Sequence, residues 1–403
     1  MDKARGSAAA LVAGCFLLCL TGRGLVESFT VFLLPISTEF GWERASVISI
    51  YSIAVLVNGL AAPFVGRILD FAGPRALFVG GLCLFGVCFS LAGHSTALWQ
   101  FQLLVGLGGG SAASCLGNVP TAIMLGKWFR SRLTLATSIV FSAFGIGILL
   151  VLPFAQTLID AFGWRTAYTV LGIIALALAI PTAIFPWTYF RIGRPLPPEE
   201  SGAAARGALL GIGAALRHPT FWALSTVYFF TGVAMYAITV QIVAYLVDSG
   251  FKPIEAASAW GVSGLLLPVG MILVGWLDGV IGRRRSLLLS YGLSLTGIGC
   301  LWLLSIAPNI ILLGAFLATY GSMLGSRAPL IATIAMNIFR GPNAATILGM
   351  VTVSGGLGSA TGAWVGGFLH DLTGGYQAVL AFSACSILIA VFVFFTARDL
   401  RGG

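Results

Sequence analysis

The sequence predicts an all-α integral membrane protein with twelve transmembrane helices in two pseudo-symmetric bundles of six. Three observations lead to this fold class. Hydrophobic residues make up 58% of the 403 residues and charged residues only 9%, whereas about 25% of the residues in soluble domains are charged. Apolar runs of about 20 residues, the length of a membrane-crossing helix, recur along the chain. Finally, the second half of the sequence repeats features of the first.

The individual helices follow from apolar stretches that are bounded by turn residues and charges. The first stretch follows a short basic segment, and it is too long for the apolar part of a signal peptide, so we interpret it as an uncleaved membrane helix. Each stretch can cross about 30 Å of hydrocarbon. The predicted spans are 8–34, 45–66, 76–94, 98–125, 133–158, 165–188, 219–247, 257–277, 286–306, 309–338, 345–369 and 376–396.

The distribution of Lys and Arg predicts the orientation of these spans. With a cytoplasmic N-terminus, seventeen basic residues lie on the cytoplasmic side, three lie on the opposite side and two lie within spans. Short loops without an Asn-x-Ser/Thr sequon fit a multi-pass protein of the bacterial inner membrane. The excess of basic residues marks cytoplasmic connections, so we expect both termini in the cytoplasm. The net charge of +9 therefore reflects topology. Soluble enzymes and nucleic-acid binders are excluded.

The longest connection divides the spans six and six. Its segment 195–200 contains three prolines and two glutamates, a composition that cannot continue a membrane helix. The predicted domains are an N-terminal bundle (1–190), a cytoplasmic linker (191–218) and a C-terminal bundle (219–403).

An offset near 210 residues aligns the two halves. The matches are Thr21-Gly22 with Thr231-Gly232, Phe129-Arg130 with Phe339-Arg340, Asp160 with Asp371, and Gly163 with Gly374. Two parallel halves around a site at the midplane are the plan of many secondary transporters, because the halves can rock about a central cavity.

Two connections carry a loop motif. The sequence from Gly66 to Arg75, GRILDFAGPR, resembles the cytoplasmic loop motif of the major facilitator superfamily, and a second copy begins at Gly275 between spans 8 and 9. The resemblance covers essentially the whole chain. It implies the major facilitator fold and alternating access without a covalent reaction. It also implies a gating role, through ion pairs and helix-end contacts that hold one face closed, with a purely topological role as the alternative. The residues concerned are Arg67, Asp70, Arg75, Asp278 and Arg283.

Three shorter segments, FGWER at 40–44, KWF at 127–129 with Arg132, and GWR at 163–165, resemble the branch of bacterial oxalate and monocarboxylate porters. Those porters typically place an Arg in span 8. The corresponding stretch of this chain, 263–270, has none. An anion site must therefore be built from other residues.

Three ionisable side chains lie deep within predicted spans, namely Arg23, Glu27 and Arg327. An unpaired charge at that depth costs about 2.5 to 3.5 kcal/mol on insertion scales, so such residues usually face a cavity. Arg23 and Glu27 are four residues apart, within ion-pair reach on one helix face. They form either a purely structural pair or a switch in which protonated Glu27 releases Arg23 to bind an anion, which would couple transport to protons.

Arg327 has no acidic neighbour in its span, so a bound anion, backbone carbonyls or water must satisfy it. Asn118 precedes Pro120 by two residues, as Arg327 precedes Pro329 in the second half. A proline frees a backbone carbonyl and often bends a helix toward a cavity. Asn118 is therefore either a hydrogen-bonding partner of the substrate or a helix-packing amide.

Further candidates for substrate binding are polar and aromatic. Tyr320 lies seven residues, about two turns, before Arg327 on the same helix face. The remaining candidates, each of which has helix packing as its alternative, are Asn58, Tyr236, Gln241 and Trp364.

Two arginines, Arg23 and Arg327, but only one acidic residue, Glu27, lie deep within the predicted spans. This excess of positive charge favours an anionic substrate, because a guanidinium recognises a carboxylate in a bidentate manner. We therefore predict a secondary active transporter of a small organic anion, in particular a monocarboxylate, coupled to protons. The alternatives are a proton-coupled exporter of drugs or cations that uses Glu27, and a receptor that binds without transport.

The seven cysteines all lie in apolar segments, which indicates neither disulfides nor a metal site. We expect no cofactor, and a monomer whose partners are substrate, protons and lipid.

Overall fold

The computed structural model describes residues 2–128, 133–187, 216–327, 331 and 344–397. Within these residues all regular secondary structure is helical, and two segments are π-helices. In chain order the helices are α1 (Asp2–Glu27), α2 (Phe29–Phe40), α3 (Arg44–Ala92), α4 (Leu98–Phe101), π1 (Gln102–Gly109), α5 (Gly110–Leu116), α6 (Asn118–Trp128), α7 (Leu133–Ile184), α8 (Pro219–Thr239), α9 (Ile242–Asp248), α10 (Pro253–Ile281), α11 (Arg283–Leu304), α12 (Ile310–Phe316), π2 (Leu317–Gly321), α13 (Ala344–Thr373) and α14 (Gln377–Thr396).

Four chain reversals show that the repeat is also present in the backbone. Gly73 within α3 and Gly282 between α10 and α11 have φ angles of 84° and 82°. Gly163 within α7 and Gly374 after α13 have φ angles of 80° and 68°. Glycine is favoured in such positive-φ conformations because it lacks a Cβ. The members of each pair are about 210 positions apart, so both halves reverse direction at equivalent places.

The length and composition of the helices agree with a membrane protein. Among the described residues, eight helical stretches are long and apolar enough to cross a bilayer. One of them, Ile139–Ile184, is 46 residues long and contains the reversal at Gly163. It therefore covers most of two of the predicted spans, 133–158 and 165–188.

The chain forms two compact units. The first contains residues 1–194 and 240–265, and the second contains residues 195–239 and 266–403. Segment 240–265, which the sequence assigns to the C-terminal bundle, thus packs with the first unit. The predicted bundle boundaries remain a prediction, and the linker residues 191–215 lie outside the described part of the chain.

Close backbone contacts hold the helices of each unit together. In the first unit, α7 crosses α10 so closely that a Cβ at Gly145 would overlap the carbonyl oxygen of Gly264. In the second unit, a Cβ at Gly358 of α13 would overlap the backbone of Phe229 in α8. Apolar lipid provides little hydrophobic drive for helix association, so membrane helices rely on small residues that permit such contact.

Candidate functional site

Candidate residues of the site lie beside interruptions in the helices. Glu27 ends α1 immediately before the turn at Ser28, and Asn118 begins α6 after the extended residue Gly117. In the second half, Gln241 lies in the turn between α8 and α9, and Arg327 follows the turn 324–326. Interrupted membrane helices expose backbone groups, which are tolerated where they face protein or a water-filled cavity. The interruptions therefore mark the part of each unit that is best suited to bind a polar ligand.

Arg23 and Glu27 form the ion pair that their spacing predicts. The Arg23 Nη2 atom lies 2.6 Å from Glu27 Oε1, with 1% of the Glu27 side chain exposed against 37% of that of Arg23. The hydroxyl of Tyr51 on α3 donates a second hydrogen bond, of 3.0 Å, to the same oxygen. The other oxygen, Oε2, is buried and accepts no hydrogen bond from the described residues.

Arg327 is buried, and neutral groups of α11 contact its guanidinium. Its Nε donates to Ser290 Oγ at 3.0 Å, and its Nη2 donates to the Ser290 carbonyl at 2.8 Å and to Ser294 Oγ. The guanidinium carbon lies 4.3 Å from the centre of the Tyr291 ring. No carboxylate of the described residues forms an ion pair with Arg327, so the second unit carries a buried positive charge.

Tyr320 lies close enough to Arg327 to interact with it electrostatically. Its hydroxyl, however, donates to the backbone carbonyls of Ala234 and Met235 on α8, at 3.3 and 3.2 Å. The expectation of a shared α-helical face was wrong, because Tyr320 belongs to the π-helix π2 and the turn 324–326 lies between it and Arg327.

The other predicted substrate-binding residues have varied surroundings. Asn118 is exposed, Asn58 on α3 and Tyr236 on α8 are half-buried, and Gln241 is buried. Trp364 on α13 is 46% exposed, and its ring stacks on Phe368.

The predicted gating residues are described only in part. Arg67 and Arg75 are exposed at the reversal within α3, and Asp278 is half-buried near the end of α10. The side chains of Asp70 and Arg283 lie outside the part of the chain that the structure describes.

Arginines of two of the shorter motifs form ion pairs in the first unit. Arg165 pairs with Glu39 at 2.8 Å and also donates to the backbone carbonyl of Ser95. Arg44, which begins α3, forms a 2.7 Å ion pair with Asp248 at the end of α9. These contacts tie together connections that are distant in sequence.

Four contributors to these sites were missed by sequence reasoning, namely Tyr51, Ser290, Tyr291 and Ser294. Tyr51 lies on a different span from its partner Glu27, so no local pattern indicates it. Ser290 and Ser294 were detectable, because together with Ser286 they form a stripe of serines at four-residue spacing in α11, and all three are buried.

The surroundings of Arg327 suit binding of a small anion. In the first unit a carboxylate neutralises Arg23, whereas neutral hydroxyl and carbonyl groups hydrogen-bond to Arg327 without neutralising it. A buried cation with such partners attracts a negative charge strongly, because little water screens the interaction. Protonation of Glu27 would leave a second uncompensated arginine.

Comparisons with known proteins identify the family. The sequence profile of the Major Facilitator Superfamily matches residues 12–339. The chain is 27% identical over 365 residues to the rat protein "Monocarboxylate transporter 13", covering 91% of this chain and 83% of that protein. It is 24% identical over 387 residues to "Uncharacterized MFS-type transporter YcxA" of Bacillus subtilis, covering 93% and 91%.

A solved structure shares the fold. The crystal structure of a mutant form of the nucleoside transporter NupG superposes with a TM-score of 0.75 at 13% identity, over 96% of this chain and 99% of that one. The fold implied by this family has twelve membrane helices, and its members are transporters rather than enzymes. The chain belongs to the Major Facilitator Superfamily of membrane transporters.

Proposed function

We propose that the protein moves a small organic anion, in particular a monocarboxylate, across the membrane together with protons. The observation that carries the proposal is the buried guanidinium of Arg327, which neutral groups contact. A carboxylate matches the charge and the planar geometry of a guanidinium. The similarity to a protein named as a monocarboxylate transporter supports the same substrate class.

In this proposal Arg327 is the principal anion contact of the second unit, and Arg23 of the first unit becomes available to an anion when Glu27 is protonated. The remaining proposed substrate contacts, which fix the position and shape of the ligand, are Asn58, Asn118, Tyr236, Gln241, Tyr320 and Trp364.

Thermal unfolding of the purified protein tests the substrate class. Candidates are acetate, pyruvate, L-lactate, benzoate and succinate, with lipophilic cations measured separately. A ligand at about 100 times its dissociation constant adds about 2.7 kcal/mol of stability. We expect stabilisation by at least one monocarboxylate, its loss in Arg327→Gln, and its retention in Arg217→Gln, which removes an exposed arginine. Stabilisation by cations alone would contradict the proposal and favour a cation exporter that uses Glu27.

The position of Glu27 supports proton coupling. Its carboxylate is buried, and one oxygen holds Arg23 and the Tyr51 hydroxyl while the other accepts no hydrogen bond from the described residues. Protonation removes the charge that attracts Arg23. An anion and a proton would then enter the site together, because each makes binding of the other more favourable.

Uptake into proteoliposomes tests the coupling. With an imposed inward pH gradient, wild-type protein should accumulate the carboxylate, whereas Glu27→Gln should only equilibrate it. Exchange of labelled for unlabelled substrate without a gradient should persist in Glu27→Gln, which separates lost coupling from lost binding. Accumulation to the wild-type level by this variant would exclude Glu27 as the coupling residue.

The remaining proposals concern location and gating. We place the protein in a bacterial inner membrane as a monomer with both termini in the cytoplasm, in two six-helix bundles (1–190 and 219–403) that are joined by the linker 191–218. Ion pairs and helix-end contacts of the repeated loop motif close the cytoplasmic face. The residues that provide them are Arg67, Asp70, Arg75, Asp278 and Arg283.

A further inference from the structure

The guanidinium of Arg327 is held along one edge and one face. The hydrogen bonds from described residues engage Nε and Nη2, through Ser290 Oγ, the Ser290 carbonyl and Ser294 Oγ. The aromatic ring of Tyr291 covers one face at 4.3 Å. Tyr291 is itself held, because its hydroxyl lies 2.7 Å from that of Thr231 on α8. The plane of the guanidinium is therefore fixed by α11.

A guanidinium has five N–H donors in a rigid fork. The Nε–H and the two N–H groups of Nη2 account for the three hydrogen bonds to α11, and none of the hydrogen bonds formed by the described residues uses Nη1. The end of the fork opposite the serines is Nη1, which carries two N–H donors.

The supporting serines lie near the middle of a membrane span. Residues Arg284–Leu304 form a stretch long and apolar enough to cross the bilayer. Ser290 and Ser294 are six and ten residues from its first residue, which corresponds to about 9 and 15 Å along the helix. Both are buried. Two hydroxyl groups buried at this depth cost free energy unless they form hydrogen bonds, and Arg327 donates hydrogen bonds to both.

We propose that Ser290 and Ser294 are positioning residues that hold the Nε–Nη2 edge of Arg327 so that Nη1 faces the substrate carboxylate. This inference rests on the proposed anion transport. A long arginine side chain that is already ordered loses less entropy when the anion binds, so the affinity is higher. We expect a lysine to be a poor replacement, since an ammonium offers a point charge rather than a rigid planar group that the serines can hold along one edge.

The test compares the Ser290→Ala/Ser294→Ala double variant with Ser286→Ala. Ser286 is a matched control, because it is a buried serine of the same stripe whose hydroxyl donates to the Val274 carbonyl. Apparent dissociation constants for acetate, pyruvate, L-lactate, benzoate and succinate come from thermal unfolding, and KM and the maximal rate come from uptake into proteoliposomes.

We expect the double variant to raise the dissociation constant and KM for the stabilising carboxylate about tenfold, with little change in maximal rate. Ser286→Ala should leave both constants unchanged. Ser294→Thr, which keeps the hydroxyl, should retain wild-type affinity, whereas Ser294→Ala alone should lower it. The single variant provides the measurement if the double variant does not fold.

The outcomes separate this inference from the proposed function. Unchanged or tighter binding in the serine variants, together with lost binding in Arg327→Gln, would overturn the positioning role and leave the anion site in place. If Arg327→Gln binds carboxylates like the wild type, or no carboxylate stabilises the wild type, the proposed function fails and this inference fails with it.

Discussion

At the scale of single residues, the ion pair of Arg23 and Glu27 is asymmetric. The carboxylate is almost fully buried, whereas more than a third of the arginine side chain is exposed. Loss of the arginine therefore leaves a buried charge with less compensation, but loss of the carboxylate leaves a cation that already reaches the surface of the unit. The two substitutions should have unequal effects on stability.

We predict that Arg23→Gln lowers the free energy of unfolding by about 2 kcal/mol, a value below that for fully buried pairs because Arg23 is partly exposed. Glu27→Gln should cost less, and the double variant should be more stable than Arg23→Gln alone. Unfolding in detergent at neutral pH measures all three variants against the wild type. If the two single substitutions are equal and their effects add in the double variant, the pair contributes no coupling energy.

The sequence was sufficient to predict the central charges but not their surroundings. Spacing alone placed Arg23 beside Glu27, because helix geometry is local. Tyr51 and Ser290 reach their partners from other spans, and such tertiary contacts leave no periodic signal in the chain. The composition of its own span showed that Arg327 needs partners from elsewhere, whereas the neutral groups that contact it became evident only from the packing of α11.

At the scale of helices, hydropathy predicted where the chain runs through apolar surroundings but not where its hydrogen bonding changes. The π-helices π1 and π2 and the turns beside Glu27 and Arg327 all lie within apolar stretches. The side chains of π1 and π2 are mostly apolar. These irregularities depend on packing against neighbouring helices, and π-helical segments frequently occur at functional sites.

The crossing of α7 and α10 provides a prediction at this scale. A methyl group at Gly145 or at Gly264 would overlap the opposite backbone, so the helices must separate to accept it. We expect Gly145→Ala and Gly264→Ala each to destabilise the protein by about 1 to 3 kcal/mol, as overpacking does in cores.

Gly275→Ala is the matched control on α10, because no atom within 4 Å would meet its added methyl group. It should be neutral or slightly stabilising, since alanine favours helix formation more than glycine does. Thermal unfolding of the three purified variants measures the difference. Wild-type stability of Gly145→Ala would mean that the two backbones do not approach this closely.

At the scale of the whole molecule, the repeat predicted two similar halves, and the paired reversals at Gly73 and Gly282 share nearly the same φ angle. The compact units do not coincide with the halves, since segment 240–265 packs with the first unit. The ion pair between Arg44 and Asp248 contributes to this packing. The internal repeat does not predict that this segment packs with the first unit, because the packing depends on contacts between residues about 200 positions apart.

The predicted orientation leads to a test with native residues. The chain has three lysines, of which Lys3 and Lys127 are predicted in the cytoplasm and Lys252 on the opposite side. Lys252 is exposed, at the connection between α9 and α10. A membrane-impermeant amine reagent should label Lys252 in intact cells, and Lys3 and Lys127 only in inverted vesicles, with peptide mapping by mass spectrometry as the readout.

Lys252→Arg should remove the label from intact cells, because arginine does not react with such reagents. Labelling of Lys3 in sealed intact cells would reverse the topology, and with it the assignment of the repeated loop motif to the cytoplasmic face.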